Sequence, residues 1–213
     1  GDQRYVKSVS EDQGEALGER GYWSFDRLLK QWQSQAGNAI SATGAIYAIR
    51  RECFEPPPPD ATDDFMISTG VIAQGRRLVF ATDAVAYEPP ADEDAGEFRR
   101  KVRIITRGLR AVIYRRSLLN PARTGLYAVE LFVHKLWRRL TWIPLLGLVL
   151  VFPLTVAAGG LASWAAGTAT FFVSLGGLAH LQPTLRRFKI VAISHYVVMV
   201  NSACALATFN TLR

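Results

Sequence analysis

Two adjacent carboxylates, Asp63 and Asp64, follow a run of four prolines, Pro56 to Pro59. They open an apolar stretch from Phe65 to Ala73 whose spacing predicts a helix, with Gly75 as its terminator. The proline run is rigid and has no backbone donors of its own, so it delivers the chain to Thr62-Asp63-Asp64-Phe65 along a fixed path. One account of the acidic pair is structural: Thr62 caps the helix, and acidic residues in its first turn suit the helix dipole. The other is chemical. A carboxylate fixed at a helix N-terminus can serve as a general base, accepting the proton of an attacking hydroxyl.

A second charged set lies further on. Phe98, Val102, Ile105, Leu109 and Val112 form one apolar helical stripe, while Arg100, Arg103, Arg107 and Arg110 share the opposite face. Guanidinium groups at i, i+3 can clamp a diphosphate through bidentate contacts. The same face can also rest, solvated, beside anionic lipid. Asp92-Glu93-Asp94 is an acidic triplet in a loop after Pro89-Pro90 and reads as solvated surface. Cys53 and Cys204 fall in different regions, so neither a disulfide nor a metal cluster follows from them.

These groups need elements to hold them. Residues 1–20 are polar and acidic, a surface loop or frayed helix. Tyr22 to Gln35 carries Trp23, Leu28, Leu29 and Trp32 at mixed helical spacing. Ile40 to Arg50 has β-branched flanks around Gly44, which predicts a strand whose backbone approaches something closely. Arg77 to Ala81 and Ala84 to Tyr87 read as short strands. A further amphipathic helix places Leu126, Val129, Val133, Leu136, Trp137 and Leu140 on one side, and should lie in a membrane interface with Trp137 and Trp142 at headgroup level.

The rest of the chain is apolar. No Asp, Glu, Lys or Arg occurs from Leu140 through Leu185, nor from Ile190 through Leu212. A span needs roughly 20 apolar residues. The runs therefore predict about three transmembrane helices, near 142–158, 161–181 and 190–210, with a turn at Ala158-Gly159-Gly160. The competing account is a buried hairpin of a soluble protein. Arg138-Arg139 before the first span and Arg186, Arg187 and Lys189 after the second place both clusters, and the soluble part, on the cytoplasmic side of a multi-pass inner-membrane protein. Membrane adjacency accounts for the net charge of +7 better than nucleic acid does. His180, His195 and Asn201 lie inside the runs, either lining a polar pathway or bonding between helices.

Taken in order, these elements resemble the C-terminal half of membrane-bound family 2 glycosyltransferases of the cellulose, chitin and hyaluronan synthase type. The resemblance is carried by Tyr22-Trp23, by Ser41-Ala42-Thr43-Gly44-Ala45-Ile46-Tyr47-Ala48-Ile49-Arg50-Arg51, and by Thr62-Asp63-Asp64-Phe65. It continues through Gly75, Leu78-Val79-Phe80, Ala86-Tyr87-Glu88, Phe98-Arg99-Arg100-Lys101-Val102-Arg103 and His134-Lys135-Leu136-Trp137-Arg138 ahead of the spans.

What the resemblance implies is specific. Asp64 matches the family's general base, and Asp63 stands where the family often has Glu. Thr43, Gly44 and Ala45 match the acceptor-side strand. Arg100 and Arg103 match the family's Gln-x-x-Arg-Trp motif, which holds the donor diphosphate, although Gln is replaced by Arg100 and Trp by Ile104.

The implied fold is α/β: residues 1–96 form the acceptor half of a glycosyltransferase-A-like domain, 97–140 the interfacial helices, and 141–213 the membrane region. The implied reaction is inverting transfer from a nucleotide-sugar to a glycan or lipid-linked hydroxyl. The Mg²⁺ or Mn²⁺ it needs would be held by an N-terminal half preceding Gly1, and no metal ligand is expected in the present chain, which alone would not transfer sugar. Two other classes stay open: a catalytically silent membrane-anchored scaffold, and a transporter or assembly subunit.

Overall fold

The computed structural model describes residues 2–5, 27–88, 96–156 and 159–213. Tyr22-Trp23, the acidic residues between 6 and 26, and Pro89 through Asp94 lie outside the described residues. The chain divides into two units, residues 1–94 with 110–134, and residues 95–109 with 135–213.

In the first unit, β1 (Asp2–Tyr5) pairs in parallel with β2 (Val85–Glu88), with Asp2 opposite Val85. Residues 27–36 are helical (α1), and α2 runs Asp63–Ala73. Gly75 ends α2 in the left-handed region at φ +74, a conformation that costs glycine least. The predicted helix and its terminator are both present.

Two predicted strands are not. Residues 40–50 run without a ladder partner and turn at Gly44-Ala45. Residues 77–81 are likewise extended but unpaired, because their backbone groups are taken elsewhere. Leu78 N–H donates to Asn38 Oδ1 (2.8 Å), Phe80 N–H to Ser34 Oγ (2.6 Å), and Ala39 N–H to the Leu78 carbonyl (2.9 Å). With strand confined to β1 and β2 among the described residues, the α/β glycosyltransferase-A-like sheet is not supported, and the described chain is mostly helical. Residues 2–5, read from polarity as loop or frayed helix, are instead the partner of β2.

The core of this unit gathers Ile40, Ala61, Phe65, Met66, Ile72, Ala111, Val112, Leu118, Tyr127 and Leu131. Ala111 and Val112 come from the end of α3 (Glu97–Tyr114). After the short α4 (Pro121–Thr124), α5 (Leu126–Leu131) turns Tyr127, Ala128 and Leu131 inward. Of the stripe expected at a membrane interface, Leu126, Val129, Val133 and Trp137 are exposed. An apolar stripe left outward suits a helix at an interface.

A π-helical turn (Phe132–Trp137) leads from the first unit into the second, which holds α6 (Arg138–Leu140) and α7 (Trp142–Thr155). Then follow α8 (Gly160–Leu181) and α9 (Lys189–Leu212). Gly159 and Gly160, at φ +64 and +76, make the turn before α8 where the sequence placed it. Val102 and Leu109 of α3 pack on Ala203 and Ala207 of α9, with Ile105 and Leu136 beside them.

Two helices, α8 and α9, are long and apolar enough to cross a membrane. At 1.5 Å per residue they reach about 33 and 36 Å, against a hydrocarbon core of about 30 Å. Helix α7 reaches only about 21 Å. It qualifies as a third span only together with Leu126–Leu140, from which it bends by 44°. Leu161, Trp164, Phe171 and Leu181 of α8 point outward, and only 11% of that span is buried. Such a face fits lipid.

Candidate active site

The path into Asp63-Asp64 is fixed before the helix begins. Asp60, just past the prolines, accepts a hydrogen bond from Tyr114 Oη (3.2 Å) and pairs with Arg110 Nη1 (3.5 Å). The Asp60 carboxylate beside the Tyr114 hydroxyl pushes that phenol above its ordinary range. Ala61 is fully buried, and its N–H donates to the Pro58 carbonyl (3.2 Å). Thr62 then takes the N-cap position in extended backbone, but its side chain makes no capping bond. The capping role expected of Thr62 is therefore unfilled. Asp64 Oδ1 instead accepts the Phe65 N–H at 2.7 Å.

That bond engages one carboxylate oxygen of Asp64. The other points toward the loop at Gly44: a Cβ at position 44 would stand 3.6 Å from Asp64 Oδ2 and 3.9 Å from its Cβ and Cγ. Asp64 is half-buried and Asp63 exposed; Thr43 and Ala45 are half-buried and Gly44 exposed. Two predicted sets, separated by some twenty residues in the sequence, thus meet in one place.

Three bonds hold the loop there. Ala42 N–H donates to Ser68 Oγ of α2 (3.0 Å), Tyr127 Oη donates to the Ile40 carbonyl (2.8 Å), and Lys30 Nζ donates to Thr43 Oγ1 (3.4 Å). Ser68 is fully buried and itself donates to the Phe65 carbonyl (3.3 Å). The turn's far end brings in Tyr47. Partial burial, and then the charges of Asp63 and Asp64, raise its phenol above the ordinary value.

Sequence reasoning gave no role to Tyr47, Lys30 or Ser68. Tyr47 stands three residues after Gly44, and that spacing was the one available signal. Lys30 and Ser68 reach the site only through packing of α1 and α2, which no local pattern encodes.

Arg100 and Arg103 belong to the other unit. Both are exposed on α3, and neither guanidinium has a partner among the described residues. For a divalent cation, no three His, Cys, Asp or Glu side chains gather among the described residues. The residues thought to mark a pathway make helix contacts: His180 and His195 stack with ring centroids 6.0 Å apart, and Asn201 Oδ1 accepts from Thr141 Oγ1 (3.2 Å).

No protein-family profile, curated protein or solved structure matches the chain. A hydroxyl lying over Gly44 would meet an anionic oxygen on one side and the Tyr47 phenol nearby. The arrangement suits removal of a proton from an alcohol.

Proposed function

We propose that this chain is the acceptor-side and membrane portion of an inverting glycosyltransferase of the family 2, membrane-bound type. The observation that carries the reading is the approach of the Gly44 turn to Asp64 Oδ2. Asp64 accepts the proton of the acceptor hydroxyl as that oxygen attacks the anomeric carbon of a nucleotide-sugar, and the nucleoside diphosphate leaves. Thr43, Gly44 and Ala45 line the acceptor's approach, and Asp63 adds negative charge beside it. Arg100 and Arg103 offset charge on the departing diphosphate. Any Mg²⁺ or Mn²⁺ and the nucleotide pocket are assigned to residues outside this chain.

The membrane assignment has support of its own in α8 and α9. We place the chain as a multi-pass protein of the inner membrane with the Asp64 unit cytoplasmic, on the strength of Arg138-Arg139 and Arg186, Arg187 and Lys189. The acceptor is a glycan or lipid-linked sugar reaching the site from the bilayer side.

The test is sugar transfer from nucleotide-sugar donors by the complete polypeptide that contains this chain, in native membranes. Asp64→Asn should lower turnover by at least about a hundredfold, the usual worth of a general base, while donor binding persists. Wild-type turnover in Asp64→Asn would remove the base from Asp64.

A further inference from the structure

The second unit holds a cation that the proposed reaction does not use. Arg139 sits in α6, and its guanidinium lies directly over Gly108 of α3. A Cβ at position 108 would stand 2.5 Å from Nη1, 2.6 Å from Nη2 and 2.8 Å from Cζ. A side chain at position 108 would therefore move the guanidinium from where it lies. Nη1 is enclosed and has no hydrogen-bond partner, and among the described residues no carboxylate pairs with Arg139. A guanidinium carries five N–H donors and stays charged. An uncompensated buried charge is costly, so a counter-charge is called for.

The unit itself cannot supply it. Residues 95–109 and 135–213 contain twelve Lys or Arg and a single acidic residue, Glu97. Glu97 and Gly108 are eleven residues apart on α3, which separates them by about 16 Å along the axis. The anion must come from outside the unit.

Position says which anion. Arg139 lies between Trp137, which is half-exposed, and Trp142, which packs on Phe209 at 6.0 Å and donates to Thr208 Oγ1 at 3.3 Å. Tryptophans concentrate where hydrocarbon gives way to headgroups. The bend of 44° between Leu126–Leu140 and Trp142–Thr155 falls at the next residue but one. A phosphate at that depth belongs to a lipid, and guanidinium pairs with phosphate through two parallel bonds.

We propose that Arg139 binds the phosphate of an anionic lipid, with Gly108 keeping open the space its guanidinium occupies. The site is independent of the transfer chemistry assigned to Asp64. Native mass spectrometry of the full chain, titrated in detergent with phosphatidylglycerol or phosphatidylcholine, tests it. The wild type should prefer phosphatidylglycerol, and Arg139→Gln should weaken that binding about tenfold, as loss of a charge-assisted contact does, with phosphatidylcholine unaffected. Gly108→Ala keeps every charge but displaces the guanidinium, and should give the same loss. This second variant decides the matter if Arg139→Gln does not fold. Undiminished phosphatidylglycerol binding in either folded variant overturns the site, and inorganic phosphate competing at the lipid's own concentration overturns the lipid as its source.

Discussion

Tyr127 and Ile40 stand 87 residues apart in the sequence, yet the Tyr127 hydroxyl donates a 2.8 Å hydrogen bond to the Ile40 carbonyl. Both residues are buried, so the bond fixes where the loop to Gly44 leaves the core. Tyr127→Phe keeps the ring and strips the donor, stranding a buried carbonyl. The expected cost is about 1–3 kcal/mol, read as a lower midpoint in thermal unfolding of the detergent-solubilised chain. An unchanged midpoint would mean that water replaces the hydroxyl and that the loop is anchored elsewhere.

Tyr47 reports on the acidic pair. Partial burial and the neighbouring charges of Asp63 and Asp64 lift its phenol above 10.0. The folded chain thus favours the neutral phenol. This contribution to stability is complete below the ordinary value and is lost as pH rises through the higher, folded one. Ultraviolet difference titration, with Tyr47→Phe identifying the signal, should show Tyr47 ionising at lower pH in Asp63→Asn and in Asp64→Asn than in the parent. A titration indifferent to both changes would separate Tyr47 from the site.

How much of this was legible beforehand follows the range of the forces involved. The α2 helix, its stop at Gly75, the long α3 stripe and the turn at Gly159-Gly160 are written in neighbouring residues, and the sequence was enough. The segments at 40–50 and 77–81 misled because β-branched composition signals an extended chain without naming its partner. Here Asn38 and Ser34 side chains took the bonds that a second strand would have made. The meeting of Gly44 with Asp64 was expected only through family resemblance, since no periodicity links a loop to a helix twenty residues later. Lys30 and Tyr127 were illegible for the same reason: each acts at the end of a long-range contact.

Arg115 and Glu55 form a pair in the first unit whose strength depends on pH. Arg115 Nη2 donates to Glu55 Oε2 at 2.8 Å and to the Met66 carbonyl at 3.2 Å, and Gln74 Nε2 donates to Glu55 Oε1 at 3.0 Å. The hydrogen bond from Arg115 holds the Glu55 carboxyl below its ordinary 4.5. The resulting stability is present above that value and is lost as pH falls through the lower, folded one. Because the Glu55 side chain is half-exposed, its worth is under about 1 kcal/mol. Glu55→Gln should flatten the acid limb of a stability profile by that small amount. Arg115→Ala should cost more at every pH, since it also abandons the Met66 carbonyl; equal losses would confine Arg115 to the surface pair.

Gly176 and Gly177 offer a paired test of how the two spanning helices meet. A Cβ at position 176 would stand 2.6 Å from the Ser194 carbonyl oxygen and 2.6 Å from Val198 Cγ2, whereas one at 177 would meet nothing within 4 Å. Backbone cannot retreat as a flexible side chain can, so Gly176→Ala must push α8 and α9 apart. Overpacking of this kind costs about 1–3 kcal/mol, and small residues are what let apolar helices approach closely. Gly177→Ala fills open space within a helix and should be neutral or stabilising by up to about 1 kcal/mol. Thermal unfolding followed by circular dichroism in the same detergent compares them directly. If both variants melt alike, the helices do not pack through Gly176.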